Sequence, residues 1–309
     1  MYTACLIGYG YWGSKLARNF QNSQFFDIVS IVDKKYKNLV SAKKTYPLAN
    51  YFKDYKKAIK NDSLDLVIIS SPTSTHFKIA KYSLENSKHV LVEKPLSLSF
   101  NEVKKLNNIA KTKKRMIFVD YPFLFSGSTN FIKKTINEKR YGEILEIESY
   151  REQAPIREDC NVVWDLGVHD ISILNYLLNK KPKSTKSIKI KNLNSHLADT
   201  AYLNLIYKNK LNVFIKNSWI SPTKIRLIKF KFKKAIIHCN ENEPIYKIKI
   251  FKKKNKSNLE YSLEMPEIDL TEPLSLMADY IYKSIIHKNN RIFKNNLNFN
   301  ITKILKNLS

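Results

Sequence analysis

Thr3-Ala4-Cys5-Leu6-Ile7 runs directly into Gly8-Tyr9-Gly10-Tyr11-Trp12-Gly13 and then into Ser14-Lys15-Leu16-Ala17-Arg18-Asn19-Phe20, and this stretch decides the fold. The apolar run reads as a strand, and the residues after Gly13 carry helical spacing. A lone Gly-x-Gly-x-x-Gly is a weak signal. Here it has a strand before it, a helix after it, and Asp33 at the end of the next apolar run, 20 residues beyond Gly13, which is the context of a dinucleotide-binding turn. Gly8 permits the tight turn, Gly10 admits a pyrophosphate to the backbone, and Gly13 lets the helix lie close to the sheet. Tyr11 and Trp12 open the helix whose N-terminus faces the phosphate charge. Asp33 is placed to accept both hydroxyls of a ribose and to repel a 2′-phosphate, which favours NAD; Lys34 and Lys35 follow at once and keep NADP open as the alternative.

Working outward, residues 1–120 alternate short apolar runs with helical stretches. Strands are expected at "FDIVSIVD", "LDLVIISS", "HVLVEK" and "MIFVDY". Helices are expected near Tyr36 to Tyr46, Tyr55 to Lys60, Thr75 to Glu85 and Phe100 to Lys113. Strands separated by helices pair in parallel through right-handed crossovers, so this segment is an α/β, doubly wound Rossmann domain. From residue 121 to 309 the pattern changes to a substrate-binding α+β domain. The helix "DLGVHDISILNYLL" is followed by seven short strands from "STKSIKI" to "LEYSLEM", joined by bends such as Lys208-Asn209-Lys210. Such bends fit antiparallel hairpins, and hence a large, mostly antiparallel open sheet. A helix from Pro273 to His287 and a short one at "ITKILKNL" close the chain.

The chain has 309 residues, 43% hydrophobic and 26% charged, with 6 Gly and 10 Pro, a composition that excludes disordered and collagen-like classes. No apolar run reaches the roughly 18 residues of a membrane span, and the N-terminal stretch lacks the pattern of a secretory signal; a cytoplasmic location is expected. Cys5, Cys160 and Cys239 stand far apart with no metal-ligand spacing, so they read as buried thiols, and no metal is expected. The net charge of +27 would suit nucleic acid. The lysines are scattered, however, beside Asn and Ile, as solvated faces and an AT-rich coding bias would produce, so no specific nucleic-acid partner is expected.

Two segments carry chemistry. Glu93-Lys94-Pro95 ends the strand "HVLVEK", at the edge where open α/β sheets bind ligands; Lys94 there reaches cofactor and substrate, or else points to solvent. In Trp164-Asp165-Leu166-Gly167-Val168-His169-Asp170, Asp165 stands where an N-cap would be and shares a helix face with His169. A histidine can take a hydroxyl proton while hydride leaves the same carbon; the alternative is a surface or capping histidine.

Together with Ser71-Pro72-Thr73 and His76, these motifs resemble the glucose-fructose oxidoreductase, inositol dehydrogenase and rhizopine-catabolism (Gfo/Idh/MocA) family over essentially the whole chain. The resemblance implies that Lys94 binds the reacting hydroxyl, often next to a cis Lys94-Pro95 bond, and that Pro72, Thr73, His76 and Glu93 line the nicotinamide end. It implies that Asp165 holds a substrate hydroxyl and that His169 is the general acid/base. The expected reaction is oxidation of a secondary alcohol on a sugar ring with NAD, and the open sheet is expected to make a homo-oligomer contact. Asp120 departs from the family pattern, standing where many members have glycine or a small residue. The segment from Tyr150 to Trp164 resembles members associated with surface-polysaccharide and nucleotide-sugar synthesis. In it Arg157 would grip a phosphate and Trp164 stack on a ring, with Asn161 beside them; the alternative is that Arg157 pairs with Glu158 or Asp159 and Trp164 is core. A nucleotide-linked hexose is the first expected substrate, a free cyclitol or aldose the alternative, and a non-catalytic dinucleotide-binding regulator the competing class.

Overall fold

In the computed structural model, which describes residues 1–193, 196–254, 260–293 and 297–309, the opening strand β1 (Tyr2–Ile7) leads into α1 (Tyr11–Asn22). β2 (Phe26–Val32), α2 (Tyr36–Thr45), β3 (Asn50–Phe52), α3 (Tyr55–Ile59), β4 (Leu66–Ile69), α4 (Thr73–Glu85), β5 (His89–Glu93), α5 (Phe100–Thr112) and β6 (Ile117–Asp120) follow. The strands form one parallel sheet in the order β3-β2-β1-β4-β5-β6. All four residues of β4 are buried, as expected of a strand covered by helices on both faces. The order reverses between β1 and β4, which is where such sheets open a ligand crevice. β3 was not anticipated from the sequence: at three residues, on the sheet edge, it is too short to show a hydrophobic period.

The second unit begins with α6 (Gly127–Asn137) and β7 (Ile144–Glu152). A π-helical turn, Val163–Gly167, leads into α7 (Val168–Leu178). Then come β8 (Ser184–Ile190), β9 (Thr200–Ile206), β10 (Asn212–Ser218), β11 (Ile225–Phe232), β12 (Ala235–Asn240), β13 (Ile248–Lys253) and β14 (Tyr261–Glu264); the first residue of the expected last strand, 259, lies outside the described residues. The sheet order is β14-β13-β12-β11-β7-β10-β9-β8, antiparallel except for the β7–β10 pair. Alternation sorts its two faces. Ala201, Leu203 and Leu205 of β9 and Val213 and Ile215 of β10 are buried, while Tyr202, Phe214 and Ile188 are exposed on the other side. In the β9–β10 hairpin, Asn209 and Lys210 take positive φ, a conformation Asn tolerates better than most residues.

Residues 1–122 pack with 272–302, and residues 123–271 with 303–309. The helix α8 (Pro273–Ile286), placed by sequence in the 121–309 segment, therefore belongs with the first unit. Its stripe of Leu274, Met277, Ala278 and Ile281 is buried. Glu272, just ahead of it, accepts from Arg18 Nη2 and Asn19 Nδ2 of α1, each at 3.1 Å, and Tyr282 stacks on Phe25 at 4.1 Å. A boundary read along the chain cannot register such a return. The last helix is α9 (Leu297–Leu308).

Phe230, in β11 between β7 and β12, is 1% exposed. Phe230→Ala is expected to lower unfolding free energy by about 3–5 kcal/mol, read from the shift in a urea unfolding curve.

Candidate active site

The cofactor-binding residues lie in the first unit, at the carboxyl ends of its strands. Gly8 turns the chain with φ +96°, and a Cβ there would meet the Ser70 carbonyl oxygen at 2.5 Å. A Cβ on Gly13 would stand 1.9 Å from the Gly8 carbonyl oxygen, so only glycine lets α1 approach the end of β1 this closely. At Gly10 an added Cβ meets nothing within 4 Å. That open side, beside a helix N-terminus with no side-chain cap, fits the pyrophosphate of a dinucleotide.

Asp33 Oδ2 accepts from the Tyr9 backbone N–H at 2.8 Å and from Asn38 Nδ2 at 2.9 Å, and Oδ1 accepts from the Lys35 N–H at 2.7 Å. A carboxylate offers about four lone-pair sites. Three are thus committed to shaping the loop, and the open one is on Oδ1. Asn38 was not foreseen as a partner; only the turn into α2 brings it there. The Lys34 and Lys35 side chains are exposed.

Pro72 and Thr73 start α4. His76, one turn on, is buried with Nδ1 2.9 Å from the Pro95 carbonyl and Nε2 2.8 Å from the Ser71 carbonyl. It is a strut tying the α4 entrance to the segment after β5. Glu93 ends β5, the Lys94–Pro95 bond is cis, and Lys94 is half-buried. Asp120, the last residue of β6, is completely buried, and its Oδ2 accepts from Trp12 Nε1. Burial raises its pKa to about 6, against the opposing pull of the Trp12 hydrogen bond and the Lys94 ammonium. Tyr11 is exposed and its hydroxyl takes a hydrogen bond from Lys15 Nζ at 2.8 Å.

The expected acid/base residues lie in the second unit, on the π turn and the first turn of α7. Single π turns recur at functional sites because they push side chains out of regular helical register. The cap is Asn161, whose Oδ1 accepts from the Val163 and Trp164 N–H groups at 3.1 and 3.2 Å. Asp165, expected as the N-cap, instead lies inside the π turn, buried, and accepts from Trp219 Nε1 at 3.0 Å. Gly167 sits so near β10 that a Cβ would meet Asn217 Oδ1 at 2.9 Å.

Beneath His169 lies a buried polar knot. Asp170 Oδ1 accepts from Ser149 Oγ at 2.9 Å and Arg151 Nε at 3.1 Å, and Oδ2 accepts from Asn217 Nδ2 at 2.8 Å. The Arg151 guanidinium lies 4.6 Å over the Phe123 ring, whose centroid is 5.2 Å from that of the half-buried His169 at 87°. Phe123 and Asn217 carried no sequence signal, since neither belongs to a motif. Arg226 donates to the Glu152 and Gln153 carbonyls; burial and the Arg151 cation pull its pKa down to about 10.

Arg157 holds Asp159 with two parallel bonds of 2.8 Å, and its Nη1 lies 3.8 Å from Asp165 Oδ1. The fork expected to grip a phosphate is thereby occupied by a neighbouring carboxylate. Trp164 is 7% exposed, which leaves little of its ring for stacking on a substrate. All three cysteines are buried thiols outside any disulfide. Among the described residues there is no His, Cys, Asp or Glu cluster suited to a metal and no helix long and apolar enough to cross a membrane.

Gly13→Ala is expected to weaken NADH binding by at least about tenfold, measured by fluorescence titration, because the Gly8 carbonyl must move to admit the methyl. Asp170→Asn leaves Arg151 without its buried counter-ion and is expected to cost about 3–5 kcal/mol, read by chemical denaturation.

Residues 3–121 match the family model described as oxidoreductase family, NAD-binding Rossmann fold, and residues 130–240 match the GFO/IDH/MocA C-terminal domain. Myo-inositol 2-dehydrogenase of Thermotoga maritima is 25% identical over 183 residues, 57% of this chain and 54% of that protein. The chain spans 37% to 66% of the length of three curated oxidoreductases it matches, from Schizosaccharomyces pombe, Escherichia coli and Bacillus subtilis. In fold it is similar to UDP-N-acetylglucosamine 3-dehydrogenase from Acidithiobacillus ferrooxidans, with a TM-score of 0.87 at 15% identity over 99% of this chain and 96% of that one. It is similar likewise to a levoglucosan dehydrogenase solved with NADH, with a TM-score of 0.89 at 14% identity over 99% of this chain and 95% of that one. With both of its domains matched and the glycine turn, Asp33 and the cis Lys94–Pro95 bond in place, the chain belongs to the GFO/IDH/MocA family of NAD-binding oxidoreductases.

Proposed function

We propose that this protein is a dehydrogenase that interconverts a secondary hydroxyl and a ketone on a sugar or cyclitol ring. The observation that carries the reading is a half-buried His169 braced by Phe123 in a chain whose first unit has the open glycine turn for a dinucleotide. NAD, when bound, accepts a hydride from the carbinol carbon or returns it. His169 takes the hydroxyl proton in the oxidative direction and returns it in the reductive one, so that alcohol and NAD become ketone, NADH and a proton. Lys94 binds the reacting oxygen, and Asp165, held by Trp219, receives a neighbouring hydroxyl. Pro72, Thr73, His76 and Glu93 shape the nicotinamide end.

A nucleotide-linked sugar is the first substrate proposed, in line with the fold neighbour that acts on UDP-N-acetylglucosamine. A free cyclitol or aldose is the second reading, favoured by one observation: Arg157 already holds Asp159 and so offers a diphosphate less than a free guanidinium would. Through the exposed Ile188, Tyr202 and Phe214, the outer face of the second sheet is proposed to contact another copy of the chain.

The test is hydride transfer. Purified protein with NAD, and separately NADP, is given nucleotide sugars, free hexoses and inositols, and reduced cofactor is followed by absorbance. An added keto acid acceptor catches a cycle that retains the cofactor. His169→Asn is expected to lower kcat at least about 100-fold with NADH affinity nearly unchanged, and Lys94→Ala to lower turnover as well. Cofactor binding without transfer to any sugar would favour the non-catalytic regulator instead.

A further inference from the structure

Asp120 is the residue of the first unit that neither the fingerprint nor the acid/base residues account for. It ends β6 in register with Glu93, the last residue of β5, and is therefore one strand over from the Lys94–Pro95 segment. It is wholly buried. One carboxylate oxygen takes the indole N–H of Trp12, at the start of α1, while the other has no hydrogen-bond partner among the described residues. A buried carboxylate so thinly supplied with donors is expensive to keep, and an asparagine or alanine at the end of β6 would avoid the expense. The opposite charge acting on it is the Lys94 ammonium; Trp12 faces it from α1, and Glu93 is its strand neighbour.

We infer that Asp120 is a positioning residue, a buried carboxylate that links the glycine turn, through Trp12, to the ammonium of Lys94 and sets where that lysine sits. The inference rests on the reading of Lys94 as the hydroxyl-binding residue. It requires the charge of Asp120, not merely an oxygen for Trp12. The two oxygens differ, Oδ2 taking the Trp12 indole N–H and Oδ1 taking no hydrogen bond among the described residues.

The chain has three tryptophans, so ¹⁵N-labelled protein gives three indole N–H signals, and Trp12→Phe identifies the one that reports on Asp120. In a titration from about pH 4.5 to about pH 8.5, the Trp12 signal is expected to move with a midpoint near 6, where burial has raised the carboxyl pKa. Removing the cation in Lys94→Met should raise that midpoint by about one unit or more. Lys94→Arg should restore it, and Asp120→Asn should abolish the inflection. A Trp12 signal with no inflection, or one with the same midpoint in Lys94→Met as in the wild type, overturns the inference. These readouts need no substrate. If the wild type transfers hydride to none of the sugars, the proposed function fails while the titration still decides the role of Asp120. With a substrate in hand, Asp120→Asn should lower kcat about tenfold or more with KM for NAD within about threefold, whereas a merely structural role would lower stability and leave kcat unchanged.

Discussion

The first unit depends on one steric constraint, the approach of α1 to the end of β1. A Cβ on Gly13 would come within 1.9 Å of the Gly8 carbonyl oxygen, and one on Gly8 within 2.5 Å of the Ser70 carbonyl. No side chain larger than hydrogen allows the helix to start there, and only a helix that starts there aims its free N–H groups at the space over Gly10. The positions of Asp33, which ties down Tyr9, and of Trp12, which reaches Asp120, follow from it.

The second unit is organised by a polar constraint instead. Asp170 is 0% exposed, and its two oxygens receive Ser149, Arg151 and Asn217 from β7 and β10. Such a network stabilises only when complete, since each member left alone would be a buried polar group without a partner. It seats the beginning of α7 on the sheet at one register. Gly167 supplies the clearance, and the π turn accommodates the extra residue that puts Asp165 under Trp219. Phe123 then joins the knot to His169, with Arg151 on its face and the imidazole near its edge.

These two constraints differ in how far the sequence reveals them. The glycine turn is local: its glycines, its strand and its helix lie between Tyr2 and Asn22, and the acid that completes it follows the next strand. Lys94 at a strand end and the Asp165–His169 spacing were legible for the same reason. Asn38, Phe123, Asn217 and the capping role of Asn161 were not, because each acts on a neighbour brought near by the fold or by an irregular turn. Arg157 shows the limit most plainly: its chemistry suits a phosphate, and only the structure shows the guanidinium already joined to Asp159.

The residue order by itself determined the alternation of strand and helix, the dinucleotide turn and the change to an antiparallel sheet, since hydrophobic period and glycine placement act over a few residues. Tertiary structure alone decided that α8 returns to the first unit, that Asp165 lies inside a π turn and not at its cap, and that Asp120 is wholly buried and holds the Trp12 indole N–H. The physical reason is that burial, desolvation and the completion of hydrogen bonds depend on every group gathered around a side chain, and those groups come from parts of the chain that no local pattern connects.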